Sequence, residues 1–195
     1  MHLRRIACVL LGAWLTGSIV VGWVATTNFG AADRVLASPP LQLEKAIAPD
    51  RVHARMTLRY LVATENAEYF VGWELAEFAL LLCLAAILGL ERHTRVLATL
   101  PAGALLLVAF QHFRVTPEII WLGQAMVLAG GSADPQTRSQ FGTMHKLYGA
   151  LEVLKLLIAV ILGVFLITMR SRRRTRRAPG AEESAEPLPH RHFAR

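Results

Sequence analysis

Four ionisable residues lie within the most apolar parts of the chain. Glu74 and Glu77 are three residues apart in one apolar block, and Glu152 and Lys155 have the same spacing in another. A charge at the centre of a membrane helix costs about 2.5–3.5 kcal/mol on insertion scales, so such residues need partners in protein or water. Glu77 and Lys155 also lie at matching depths in their blocks, about 10 Å from the predicted outer boundary. The pattern predicts an ion pair between them.

Further polar residues extend this set. The start of the fourth apolar block has polar residues spaced three, four and three apart, which places them on one helix face: His145, Tyr148, Glu152 and Lys155. The third apolar block ends in Gln111 and His112. We interpret seven residues as an intramembrane polar cluster: Glu74, Glu77, His112, His145, Tyr148, Glu152 and Lys155.

The cluster fits three kinds of role. It could fix helix packing through hydrogen bonds and a buried ion pair. It could be the outward-facing site of a small transporter or proton-coupled permease, although neither a broken helix nor an internal repeat is visible. It could also hold haem or a divalent metal through His112, His145 and Glu152, although local HxxxH or ExxH spacing is lacking. No nucleophile motif, phosphate loop or nicotinamide fingerprint is present, so we predict no enzyme activity and no catalytic residue.

The composition indicates a membrane protein. Hydrophobic residues make up 54% of the 195, charged residues only 18%, and the mean hydropathy is +0.41. The apolar residues form four long blocks, and a helix of roughly 20 residues crosses the ~30 Å hydrocarbon layer. We interpret the first block as an uncleaved signal anchor, because a cut after Ala25 would leave bulky Trp23 near the cleavage site. The predicted spans are 6–29, 70–90, 96–113 and 148–169.

The two longer connections, 30–69 and 114–147, also carry helix signals. Ser38-Pro39-Pro40 and Ala48-Pro49-Asp50 are breaks, after which a helix is expected to run from Asp50 to Leu90. Thr116 precedes Pro117 and Glu118, which predicts a new helix with Thr116 as its capping residue, ending at Gly130-Gly131. Asp134-Pro135 starts the last helix. The predicted fold is all-α: an integral membrane four-helix bundle, residues 1–170, with a small extracytoplasmic helical cap.

The net charge of +7 is concentrated after the last span. When both termini are placed in the cytoplasm, the cytoplasmic side carries more basic residues than the opposite side of the membrane. We therefore predict a multi-pass protein of a bacterial inner membrane, with residues 171–195 as a basic, then acidic, disordered cytoplasmic tail. The tail contacts lipid headgroups rather than nucleic acid. The residues assigned to this contact are Arg170, Arg172, Arg173, Arg174, Arg176 and Arg177.

Small residues in the first span predict close contacts. Ala13 with Gly17, and Ser18 with Gly22, are small-xxx-small pairs, which favour tight packing within the bundle or against a second copy. Cys8 and Cys83 belong to no CxxC pair and predict no disulfide. The partners expected from the sequence are the lipid bilayer and, as open alternatives, another membrane protein or a homo-oligomer.

The segment FGTMHKLY at 141–148 resembles the last-span signature of an uncharacterised family of small four-span bacterial membrane proteins. The Thr116-Pro117-Glu118 stretch and a first span opening with Gly12 and Trp14 are similar to members of that family. The resemblance implies a four-span fold and no established activity. The leading interpretation is thus a non-enzymatic membrane protein that acts through protein or lipid contacts of its bundle and cap, without a predicted cofactor.

Overall fold

The computed structural model describes residues 2–91, 93–129 and 133–176. These residues are almost entirely helical and contain no strand. Short 3-10 turns occupy Ala48–Asp50 and Arg95–Ala98, and a π turn occupies Gln111–Val115. The helices are α1 (His2–Ala37), α2 (Leu41–Ile47), α3 (Arg51–Leu90), α4 (Thr99–Phe110), α5 (Thr116–Leu128) and α6 (Pro135–Arg176).

Four helical segments among the described residues are long and apolar enough to cross a membrane. They are Leu3–Ala37, Ala48–Leu90, Arg95–Leu128 and Pro135–Thr168. Large apolar side chains also cover the outside of the bundle, including Leu82, Leu106 and Ile167. Such a surface is stable in lipid, where apolar side chains face hydrocarbon rather than water. The predicted all-helical, four-span architecture is confirmed at this level.

The long α3 helix begins where the sequence predicts. The Asp50 side chain accepts a hydrogen bond from the His53 backbone N–H at 2.9 Å, which caps the first turn. With 40 residues, α3 is about 60 Å long at 1.5 Å per residue, roughly twice the hydrocarbon thickness. The helix α1 continues to Ala37, well beyond the predicted span boundary at 29, and ends just before Pro39-Pro40.

The turn between α3 and α4 is compact, as expected for spans separated by so few residues. The buried Thr94 hydroxyl donates to the Leu88 carbonyl at 3.0 Å, and the Thr94 backbone N–H donates to the Glu91 carbonyl at 2.9 Å. These bonds satisfy carbonyls that the end of α3 leaves without helical partners. The turn therefore holds α3 and α4 as a tight antiparallel hairpin.

The start of α5 differs from the prediction. Val115, not Thr116, precedes the helix, and no side chain caps it, because α4 continues through the π turn into α5 without a break. Thr116 is instead buried and its hydroxyl bonds to a side chain on α3. A helix that is already hydrogen-bonded needs no capping group, which leaves the hydroxyl free for a tertiary contact. The predicted assignment of Thr116 as an N-cap is wrong.

The end of α6 also differs. The helix runs to Arg176, so residues 171–176 of the predicted disordered tail are helical. Arginine has a high helix propensity, and no helix breaker occurs before Pro179. Arg177 and the acidic segment that follows lie outside the described residues, as do Gly130 and Gly131.

The apolar core occupies the half of the bundle near the α3–α4 turn. Helix α3 packs against α1, α4 and α5, while α6 packs against α1, α4 and α5. The buried apolar residues of this half come from α1, α3, the 3-10 turn, α4 and α6: Ala7, Leu11, Trp14, Leu81, Leu84, Leu88, Leu97, Ala104, Val108, Ala159, Leu162 and Leu166. Glu74 and Glu77 of α3, and Glu152 and Lys155 of α6, lie further from the α3–α4 turn than this core.

Gly17 lets α1 approach α3 closely. A Cβ atom at Gly17 would lie 2.0 Å from the Cη2 atom of the Trp73 ring, whereas a Cβ atom at Gly12 would meet nothing within 4 Å. Gly17 belongs to one of the predicted small-residue pairs, and its close packing within the bundle is confirmed. The Trp73 indole fills the space that a side chain would take.

We predict that Gly17→Ala lowers the thermal stability of the protein, by about 1–3 kcal/mol, because the new methyl group displaces the Trp73 ring. Gly12→Ala is the matched control on the same helix and should leave the unfolding temperature unchanged or slightly raised. Thermal unfolding of the purified proteins in detergent measures both effects. Equal stabilities for the two variants would contradict the predicted packing.

Candidate functional site

The polar cluster is built around Glu77 of α3. This side chain is fully buried, at 0% exposure. Trp14 of α1 donates its indole N–H to Oε1 at 2.7 Å, and Lys155 of α6 donates to Oε2 at 2.6 Å. Both carboxylate oxygens therefore have a partner, and the predicted Glu77–Lys155 ion pair is present. Through these bonds Glu77 ties α1, α3 and α6 together.

Lys155 joins Glu77 to a second carboxylate. Its side chain is 1% exposed, and its ammonium group also lies 2.8 Å from Oε1 of Glu152, one helical turn earlier on α6. The Gln111 amide donates to the same Oε1 atom at 3.0 Å. Glu152 is 23% exposed, so it is the more accessible member of this chain of contacts.

Glu74 forms a separate unit one turn before Glu77. It is fully buried, and its Oε1 accepts from the Thr116 hydroxyl at 2.5 Å, while its Oε2 lies 2.9 Å from Nδ1 of His112. The His112 ring is 20% exposed and packs edge-on against Phe78 and Phe113. A carboxylate bonded to an imidazole in this way can exchange a proton with it.

The π turn brings these partners to the two carboxylates. It contains Gln111 and His112, and it is followed directly by Thr116. A π turn holds one more residue than an α turn, so it changes which side chains face the bundle, and such turns are frequent at functional sites. Here the turn directs Gln111 toward Glu152, and His112 and Thr116 toward Glu74.

The remaining two members of the predicted cluster are Tyr148 and His145. The Tyr148 ring packs edge-on against Phe70, at 5.3 Å between centroids, and its hydroxyl is buried without a hydrogen-bond partner among the described residues. That phenol interacts electrostatically with Glu152, Glu74 and Glu77, so it belongs to the cluster. His145 is exposed and stacks on Phe141 at 5.6 Å, and no contact joins it to the rest of the cluster within the described residues.

Three site residues were not predicted as such. Trp14 is surrounded by apolar residues in the sequence, so its N–H gave no local signal of a buried acceptor on another helix. Gln111 was noted only as the end of a span, and Thr116 was interpreted as a cap. The one available signal was the tryptophan itself, because a buried indole N–H usually finds a partner.

A second polar contact joins α1 to α3 further along the helices. The Asn28 amide donates to Oδ1 of Asn66 at 2.8 Å, and the buried Asn66 amide donates to the Ala25 carbonyl at 3.2 Å. Beyond it, Arg59 of α3 pairs with Asp33 of α1 at 3.0 Å on the exposed surface. These contacts fix α1 against α3 independently of the charged cluster.

The charges of the cluster do not balance. It holds the carboxyl groups of Glu74, Glu77 and Glu152 against the single ammonium of Lys155 and the imidazole of His112. If all three carboxyl groups are ionised, the cluster is negative even when His112 is protonated. Uncompensated charge in a low-dielectric interior is strongly unfavourable. The arrangement is therefore suited to taking up a proton or another cation.

The residues suggested for a metal do not converge. Within residues 2–91, 93–129 and 133–176, no group of three or more His, Cys, Asp or Glu side chains is placed to hold a metal ion. Of the predicted ligands, His112 pairs with Glu74, Glu152 binds Lys155, and His145 is exposed. The haem or divalent-metal hypothesis stays a prediction.

Comparisons with protein-family models, with curated proteins and with solved structures gave no match to this chain. The resemblance to a four-span family noted in the sequence therefore stays a prediction.

We predict that Glu77→Leu and Lys155→Leu each destabilise the bundle by about 3–5 kcal/mol, because each leaves one buried charge without its partner. The double variant should be more stable than either single variant, since it removes both charges together. Arg59→Leu, which breaks the exposed pair with Asp33, is the control and should change stability by less than about 1 kcal/mol. Thermal unfolding in detergent measures all four proteins. A double variant less stable than both single variants would refute the pairing.

Proposed function

We propose that the protein is a small proton-translocating membrane protein, of the proton-coupled permease type, in which the charged cluster binds and releases the proton. Three carboxyl groups, two of them fully buried and one partly exposed, lie beside the single lysine of the cluster, and this carries the proposal. A purely structural ion pair would need one carboxylate. The additional carboxyl groups of Glu74 and Glu152 give the bundle a capacity for protons that packing does not require.

The exposure of the cluster members supports a path for the proton. Glu152 and His112 are partly exposed, whereas Glu74, Glu77 and Lys155 are buried. Each buried carboxyl group is thus hydrogen-bonded to a chain that reaches a more accessible ionisable group. Chains of Asp, Glu and His side chains within membrane helices are the usual elements of proton relays.

We place the protein in a bacterial inner membrane with both termini in the cytoplasm. The basic residues around the N-terminus, the α3–α4 turn and the end of α6 support this orientation. The charged cluster then lies nearer the outer surface. Helix α2, the start of α3 and the end of α5 form the extracytoplasmic cap in this arrangement, and anionic lipid headgroups meet the arginines after the fourth span.

A structural role is the second candidate. It is favoured by the complete satisfaction of Glu77, whose two oxygens bond to α1 and α6. In that role the cluster fixes the register of the helices and the protein acts through a partner protein, lipid or a second copy. Under this alternative, a Glu77→Leu, Lys155→Leu double variant would retain full activity, whereas under the proton proposal it folds but loses proton transport.

The orientation predicts opposite labelling at the two ends of the bundle. In a background with Cys8 and Cys83 replaced by alanine, Asp134→Cys should react with a membrane-impermeant maleimide in intact cells. His93→Cys, in the α3–α4 turn, should react only after the membrane is permeabilised. Both positions are exposed, so accessibility to the reagent depends on the side of the membrane. The reverse pattern would contradict the proposed topology.

Proton transport predicts a flux through reconstituted protein. The protein is reconstituted into vesicles that contain a pH-sensitive dye and have sodium and potassium salts on both sides. These vesicles should equilibrate an imposed pH gradient faster than empty vesicles do. Glu74→Gln should lower the flux at least tenfold, because the amide keeps the shape of the side chain and carries no exchangeable acid proton. Glu118→Gln, at an exposed position of α5, is the control and should match the unchanged protein. A flux equal to that of empty vesicles would refute the proposal.

A further inference from the structure

Two buried oxygen atoms beside Glu152 lack hydrogen-bond partners within the described part of the chain, Oε1 of Gln111 and the hydroxyl of Tyr148. The contacts of Glu152 with Lys155 and Gln111 both go to Oε1, and its carboxyl group also interacts electrostatically with the Tyr148 phenol, so these side chains lie together. Buried polar atoms are nearly always paired, so two unpaired oxygens beside one carboxylate point to a bound group.

Gln111 gives the strongest indication. Its side chain is 0% exposed, yet only its amide nitrogen is used, in the bond to Glu152. The two terminal atoms of an amide are attached to the same carbon, so the unpaired Oε1 lies beside the same carboxylate. Burying an amide oxygen without a partner costs about 1–3 kcal/mol. A ligand that accepts an oxygen lone pair would remove this cost.

The chemistry of these atoms selects a cation. The amide oxygen is only an acceptor, the ionised carboxylate is only an acceptor, and a phenol oxygen can coordinate through its lone pairs. Oxygen ligands suit hard cations, and backbone carbonyl oxygens of interrupted membrane helices coordinate sodium in transporters. The site offers one charged oxygen and two neutral ones, too few for the ligands that calcium requires.

We infer that Gln111, Tyr148 and Glu152 form a subsite for a compact monovalent cation next to Lys155. The inference deepens the proposed function and rests on it for the role of the cation, which is the coupling ion or transported solute. The cation would compensate one negative charge of the cluster. Partial exposure of Glu152 leaves a route to the subsite, while the Tyr148 ring is held in place by Phe70.

The subsite is tested by measuring how much radioactive sodium the full chain binds in detergent. The only other cation in the buffer is bulky N-methylglucamine. Saturable binding is expected, and displacement by potassium or methylammonium identifies which compact cation is preferred. Tyr148→Phe keeps the ring against Phe70 but removes the oxygen, and Gln111→Leu removes the amide. Both should weaken binding at least tenfold. Tyr69→Phe is the matched control, because among the described residues its hydroxyl bonds only to Glu65, at the surface, and this variant should bind sodium as the unchanged protein does.

Size-exclusion profiles and unfolding temperatures establish that each variant is folded, and Tyr148→Phe alone decides the result if Gln111→Leu fails to fold. Absence of saturable binding of all three cations by the unchanged protein would overturn the inference, as would unchanged affinity in a folded Tyr148→Phe variant. The assay involves no proton. Sodium binding without proton flux would thus refute the proposed function alone, and proton flux without cation binding would refute the subsite alone.

Discussion

A carboxylate inside an apolar bundle has to find partners there, because no water is available to solvate it. Glu77 meets this requirement with an indole N–H from α1 and an ammonium group from α6, so one side chain determines how three helices are arranged. This arrangement also positions two further polar residues. The Lys155 ammonium group contacts Glu152 as well, and Glu152 accepts a hydrogen bond from the amide of Gln111 in the π turn.

The bundle divides into two halves with different physical roles. Near the α3–α4 turn, the core consists mainly of leucine, alanine and valine side chains, and the hydrogen bonds of Thr94 hold the compact turn together. Toward the other end, buried charges replace part of this packing. Removing one member of a buried ion pair is far more costly than replacing both members by apolar residues. Three carboxyl groups in this half are thus difficult to explain by stability alone, and this supports a function that uses their protons.

The sequence was sufficient for the elements but only partly for the site. Long apolar blocks and the Asp50 cap specified the helices, since lipid permits few other structures, and the matching depths of Glu77 and Lys155 predicted their ion pair. The continuous helix from α4 to α5 was not predicted, because Thr116-Pro117 carries the same local signal whether a helix starts there or continues from a π turn. Trp14 and Gln111 were missed as site residues since their roles depend on tertiary contacts with α3 and α6. His145 shares a helix face with Lys155 in the sequence pattern, but lies far enough along α6 to be exposed.

If the cluster takes up and releases a proton, at least one of its carboxyl groups must change its protonation with pH. Infrared difference spectra of the protein, recorded between acidic and alkaline pH in light and heavy water, report protonated carboxyl groups directly. We expect a carboxylic acid band that shifts in heavy water, declines as the pH is raised, and is reduced in Glu74→Gln but not in Glu118→Gln. Difference spectra in which replacing the carboxyl groups of the cluster leaves every carboxylic acid band unchanged would contradict proton binding by the cluster.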